Sequence, residues 1–135
     1  MEMAFILPLL LMLLIGMFWT ARAYNIYETI TRAAREGART AVAPTCATCG
    51  NAFPTQASVQ ATVTNAMAAS GMDTSGPGIS VTVLQHQQLN LDANNPNALW
   101  TVVTVTYPFQ FVLPFSSVSA ATVNMTTKAQ MVEEQ

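Results

Sequence analysis

The nineteen residues from Met3 to Ala21, MAFILPLLLMLLIGMFWTA, carry no charge. At 1.5 Å per residue, a helix of that length spans about 28 Å, close to the hydrocarbon thickness of a bilayer. Glu2 and Arg22 bracket the run. Phe18 and Trp19 lie near one end, where amphipathic rings favour the membrane interface. A cleavable secretory signal would show a basic leading region, an apolar run of about 7–15 residues and a small-residue cleavage site. Nothing basic precedes this longer run, so the sequence predicts a retained anchor.

The remainder is polar but nearly uncharged. Asp, Glu, Lys and Arg make up 9% of the 135 residues, against about 25% in ordinary domains. That scarcity excludes a disordered polyelectrolyte and a coiled coil. A net charge of −2 gives no global attraction to nucleic acid. Four of the five basic residues, Arg22, Arg32, Arg35 and Arg39, follow the span closely. Taken alone, the positive-inside rule would put that side in the cytoplasm. A basic leader ahead of the span would reverse the balance.

Helical periodicity does not stop at Arg22. Ala23, Ile26, Tyr27, Ile30, Ala33, Ala34, Gly37, Ala38 and Ala41 recur at three- and four-residue steps, which is one face of a helix. Glu28 with Arg32, and Arg32 with Glu36, form i,i+4 pairs. Pro44 ends the pattern, while Pro8 removes one helix hydrogen bond and is expected to bend the first turns. A helix from about Met3 to Ala43 would be about 60 Å long. The chain therefore divides into an apolar helix half (1–21), an amphipathic helix half (22–43) and a small outer domain (44–135). Ala34, Gly37, Ala38 and Ala41 are read as packing positions that let another element approach closely. Two architectures fit: an anchor running into a domain helix, or a spine whose first half is buried against other copies.

Past Pro44, the segment from Pro54 to about Ser70 predicts a second helix, with Val59, Val63, Ala66 and Met67 as its apolar stripe and Gly71 as its stop. Ile79 to Val83 alternates with period two, as does Leu99 to Tyr107. Pro108 and Pro114 are expected to break the chain into an irregular crossing. From Val118 to about Met131 the alternation returns, with Ala121, Val123 and Met125 on one side. The fold class is α+β: a long helix and a short one against a small antiparallel sheet of about three strands.

Few residues offer chemistry. Cys46 and Cys49 could close a disulfide, supply half a zinc site or act as a redox pair. Zinc needs four ligands, and the other good candidate is His86. A redox pair would sit beside a βαβ pattern, which is missing. Outside the cytoplasm the thiols would oxidise, so a local disulfide is the expectation and free thiols the alternative. His86 is read as a surface or interface residue, on the strand face opposite Ile79, Val81 and Val83. Spacing gives it no nucleophile or acid partner. Asp92, Asn94 and Asn95 hint at a calcium loop but lack the EF-hand glycine and glutamate. Gly71, Gly76 and Gly78 form no phosphate-binding pattern. Asn124-Met125-Thr126 matches a glycosylation sequon, a frequent coincidence. No catalytic, cofactor or metal site is expected.

The front segment resembles a known family. Glu2 to Gly16 (EMAFILPLLLMLLIG), Ala21 to Asn25 (ARAYN) and Ala33 to Arg39 (AAREGAR) are similar to the TadE-like proteins, pilin-like proteins of the tight-adherence branch of type IV pili. Val103 to Phe109 and Leu113 to Phe115 look more loosely like that family's ending. The resemblance implies a type IV pilin-like fold and a non-enzymatic pilin-like or pseudopilin subunit serving adhesion or surface attachment. Its partners would be like or related pilin subunits and the inner-membrane assembly machinery. It would be a single-pass inner-membrane protein with a non-cytoplasmic outer domain, and part of an extracellular pilus after assembly. The family's precursors are cut by a prepilin peptidase after a glycine, and Glu2 matches the glutamate that follows. Only Met1 precedes Glu2 here, so either the leader lies upstream of this sequence or the chain is not processed. In such filaments this carboxylate is thought to neutralise a neighbour's N-terminal amine. With Glu2, Pro8 is read as an assembly residue. The alternative is a monomeric membrane-anchored adaptor or binding protein that never polymerises.

Overall fold

A computed structural model of the chain describes residues 3–43, 52–88, 98–110 and 122–133, with the side chains of 3–5 excepted. Helix α1 runs unbroken over Met3–Val42, 40 residues, and passes straight through Pro8. Helix α2 covers Gln56–Ala69. Strands β1 (Ser80–Gln88), β2 (Leu99–Gln110) and β3 (Thr122–Val132) form one antiparallel sheet in the order β1-β2-β3. Both helices lie on one face of this sheet. The upper half of α1 packs on α2, β2 and β3, and α2 packs on β1. This is the α+β arrangement that the sequence patterns imply, and it is pilin-like, as the resemblance implies.

The core forms where three periodicities meet. Ile30, Ala33, Ala34, Ala38 and Ala41 of α1 and Val59, Val63 and Met67 of α2 are buried against Val83, Val103, Val105 and Ala129 of the sheet. The sequence pattern places Tyr27 on this face too, but it sits at the stripe's edge and is exposed. The outer sheet face carries Ser80, Thr82, Thr104, Thr106 and Thr126, and the hydroxyls of Thr106 and Thr126 stand 3.2 Å apart. Between α1 and β3, Thr31 donates to Tyr27 O at 2.8 Å. The Thr31 proton is thereby committed, so Thr127 is the donor in the 3.4 Å Thr31–Thr127 contact.

Local chemistry sets the element ends. Thr55 caps α2, its hydroxyl accepting from Ser58 N at 3.3 Å. Pro54 stands just before this cap, not inside the first turn. At the other end Gly71 takes φ 76°, its N–H donates to Ala68 O and Met72 N–H donates to Met67 O. That pairing is the Schellman motif, and it needs the left-handed conformation glycine accepts freely.

Two strand bounds change, and on β3 Val123 keeps to the side of Met125 but lies open. β2 does not stop at Tyr107; it continues through Pro108 to Gln110, pairing Pro108 with Asn124. The ladder with β1 ends at Ser80–Thr106, so Pro108 lies where one side of β2 is already open and proline is tolerated. β1 runs on to Gln88, past a bulge in which Gln85 and His86 oppose Thr101 alone. In β3, Met125, Thr127, Ala129 and Met131 take the inner face while Val123 is exposed. Residues 118–121 lie outside the described residues.

Gly37 fixes the distance between the helices. A Cβ there would overlap Val63 Cγ2 and stand 3.6 Å from Val103 Cγ1. Val63 is fully buried, and its branched side chain is stiff at χ1 in a helix, so it cannot turn away. Gly37→Ala gains about 1 kcal/mol of helix propensity but incurs an overpacking cost of about 1–3 kcal/mol. We expect a net loss of stability, seen as a lower denaturant midpoint in detergent micelles. Gly37→Ala combined with Val63→Ala should recover part of it.

Candidate functional site

The lower half of α1 touches almost nothing in its own chain. Ten large apolar side chains between Ile6 and Phe18 are exposed, from 48% at Leu11 to 79% at Met12. This stretch is long and apolar enough to cross a membrane, and none of its most apolar window is buried within the molecule. Burying one large apolar side chain is worth about 1.5–3 kcal/mol, so leaving ten in water would cost on the order of 15–30 kcal/mol. A small domain has about 5–15 kcal/mol of stability in total. This half is therefore covered in use, by lipid or by other helices. The one hydroxyl in the uncharged run, Thr20, donates to Gly16 O at 2.6 Å, so its proton is paired whatever surrounds the helix.

At the top of the bare half the sheet reaches down to meet the helix. Phe109, near the end of β2, sets its ring edge-on to Trp19, centroids 6.1 Å apart, and Trp19 does the same with Phe18. The Arg22 guanidinium lies 5.7 Å from the Trp19 ring centre, on its face. Beside this foot a groove of about 900 Å³ opens between α1 and the turn carrying Gly76 and Pro77.

The other grouping of polar side chains lies at the opposite end of the sheet. Glu133, just past β3, is 5% exposed. Its Oε1 accepts from the Thr101 hydroxyl and from His86 N–H at 3.0 Å, and its Oε2 stands 2.7 Å from His86 Nδ1. At that distance Nδ1 carries the proton. His86 reaches this position because the bulge turns its backbone to φ 58°, and Phe53 stacks edge-on against the ring. Burial pushes the Glu133 carboxyl up. The Thr101 hydroxyl, the His86 N–H and the charge of the His86 ring outweigh it and hold the group below the usual carboxylate range. Thr101 is fully buried and already donates to Glu133, so it is not a nucleophile. The cluster works as a clasp that joins β3 to β1 across β2. Spacing alone missed it, because His86 and Glu133 are 47 residues apart and meet only through the sheet register.

The other singled-out residues fall as follows. Pro8 is exposed on the bare half. Ala34, Gly37, Ala38 and Ala41 face α2 and the sheet, so their close approach is used within the chain. Arg32 turns to Glu28 at 3.8 Å, not to Glu36. Glu2, Cys46, Cys49 and residues 92–95 lie outside the described residues. Among the described residues no three His, Cys, Asp or Glu side chains gather as a metal site.

Residues 1–39 match the family model of TadE-like proteins. The matched segment holds all of the bare half of α1 and most of the buried half, and it stops short of the outer domain. No curated protein and no solved structure matches the chain. The match falls on the segment whose motifs carry the TadE-like resemblance. On that segment the chain is similar to the TadE-like, pilus-associated proteins.

The clasp makes stability acid-sensitive. A carboxyl whose folded pKa is depressed contributes fully above its unfolded value, near 4.5, and loses that contribution as pH falls through the lower folded value. Thr101→Val should cost about 1.5–3 kcal/mol near neutral pH, the range for a hydrogen bond to a charged group. The difference from wild type should shrink as Glu133 protonates. Denaturation followed by Trp100 fluorescence across the acid range checks both.

Proposed function

We propose that the chain is a structural, non-enzymatic pilin-like or pseudopilin subunit of a tight-adherence type IV pilus. The observation that carries the reading is a coincidence of extent. The segment similar to TadE-like proteins contains the helix half that the chain leaves uncovered. Before assembly, residues 1–21 cross the inner membrane once and the outer domain (44–135) stands on the non-cytoplasmic side. On assembly the bare halves leave lipid and pack on those of like or related subunits, extending the pilus outside the cell for surface attachment.

The physics supports such an exchange. Lipid tails are as apolar as leucine, so moving the helix from bilayer to bundle changes its hydrophobic energy little. Selection of the correct neighbour must then come from packing and from polar groups. Glu2 fits that role, because an uncompensated charge in an apolar core is costly and pairing it with an N-terminal amine fixes the register. An outer surface with few charges lets subunits touch without stripping water from many ions.

Glu2→Ala should leave the chain in the membrane fraction and strongly reduce filaments counted by electron microscopy. Normal filaments from this variant would refute the pairing role. Native wild-type material that stays singly dispersed, with its assembly partners present, would refute the pilin reading and favour a monomeric anchored adaptor. Replacing both Cys46 and Cys49 by serine should lower outer-domain stability or assembly, seen as faster proteolysis or fewer filaments.

A further inference from the structure

The clasp at the upper end of the sheet is built for one charge state. Three donors converge on the Glu133 carboxylate. The Thr101 hydroxyl and the His86 backbone N–H share Oε1, and His86 Nδ1 stands 2.7 Å from Oε2. Among the described residues Oε2 meets no hydroxyl or backbone N–H. An ionised carboxylate is an acceptor throughout, so it can serve all three donors. A protonated one carries an O–H of its own, and the clasp offers no acceptor to receive it. Oε1 holds two donors and Oε2 one, so the proton goes to Oε2, where it confronts the proton on Nδ1.

Little else holds His86 in place. Its backbone sits at φ 58°, a left-handed conformation that a residue with a side chain keeps only when its surroundings enforce it. The strand register breaks at this point, where Gln85 and His86 oppose Thr101 alone. The His86 side chain is 55% exposed, so one side of the ring already faces water. No other charge stands in for the carboxylate. β2 presents the Thr101 hydroxyl, the lead-in to α2 presents the uncharged Phe53, and Arg39, near the top of α1, pairs with no described carboxylate. The lead-in to α2 hangs on the same place. Phe53 packs edge-on against the His86 ring, centroids 6.0 Å apart, and Gln85 Nε2 donates to Pro54 O at 2.9 Å.

We propose that the clasp is an acid-released latch. Protonation of Glu133 expels the His86 ring and frees residues 85–88 of β1 together with residues 52–55, while the helices and the centre of the sheet stay folded. The centre has no reason to follow, because Val103 and Val105 are fully buried and cluster with Ile30, Val59, Val63 and Met67, none of which titrates. The sign agrees. A carboxyl held below its usual range keeps the latch shut above that range and releases it as pH falls through the lower folded value. The latch lies wholly within the outer domain, so it needs neither a membrane nor a second copy.

The test is amide hydrogen exchange of the full chain in detergent micelles, read by NMR as protection factors across the acid range. The His86 amide should lose about tenfold in protection, the worth of one hydrogen bond to a charged group, before the Val103 and Val105 amides lose any. The cross-peak between the Phe53 and His86 rings should vanish over the same pH interval. Glu133→Gln presents one oxygen and one NH₂ group whatever the pH. It should show the loosened His86 amide already at neutral pH and no further step in acid. Loss of protection at His86, Val103 and Val105 in a single step makes the clasp part of global acid unfolding and overturns the latch. A His86 amide that stays protected until the core unfolds, or that is as protected in folded Glu133→Gln as in wild type, overturns it too. If Glu133→Gln does not fold, the wild-type titration alone decides, because it separates local release from global unfolding.

Discussion

One unbroken backbone helix joins two environments, and the rest of the structure depends on that continuity. Within α1 every interior N–H can pair along the helix, and only the bond that Pro8 cannot donate is missing, so the backbone asks little of its surroundings. The side chains alone decide what surrounds each half. Above Arg22 the chain supplies the cover itself, through α2 and the sheet. Below it there is none, and ten large apolar side chains are left over. The resulting debt to water exceeds the stability of the whole outer domain, so the fold is finished only by lipid or by other helices.

The two halves solve packing by opposite means. Where the partner is fixed, α1 uses small residues, Ala33, Ala34, Gly37, Ala38 and Ala41, and the bulk comes from Val59, Val63, Met67 and Val103. A small face allows one close and rigid fit. Where the chain itself supplies no cover, α1 carries leucines with Met12 and Met17, whose flexible side chains can adapt to different neighbours. The same stripe of alanine and glycine that could have been a subunit contact is thus occupied inside the chain. In the proposed assembly, contacts between subunits would fall to the bare half and to the outer surface.

Much of this was legible in the residues, because periodicity is a local property. A 3.6-residue repeat through Ala41 and the stop at Pro44 placed α1, and Val59, Val63 and Met67 placed the inner face of α2. Two-residue alternation found the strands. What stayed hidden depends on register, which no local pattern encodes. Pro108 looks like a strand end until β1 is known to stop at Ser80–Thr106, two residues earlier on β2. His86 looks like a lone surface histidine until a bulge shifts β1 by one residue and brings it to Glu133. The burial of Thr101 among apolar neighbours likewise makes sense only with that carboxylate beside it.

The sheet's two ends are built for different surroundings. Leu99 and Val132 lie at the end beside the top of α1, near Val42, and Phe109 and Val123 lie at the end beside Trp19. At the upper end the strands are held together by charge-assisted hydrogen bonds from Thr101 and His86 to a buried carboxylate. Such bonds are strong where water is excluded, and they lock β1 to β3 although the two are not neighbours. At the lower end Phe109 meets Trp19 ring edge to ring face. An aromatic contact loses little when its surroundings change from headgroup to hydrocarbon to the side of another helix, whereas an ion pair would have to be desolvated at each change. Under the proposed function, a carboxylate clasp far from the membrane and an aromatic contact beside it would let the lower end change partners while the upper end keeps its shape.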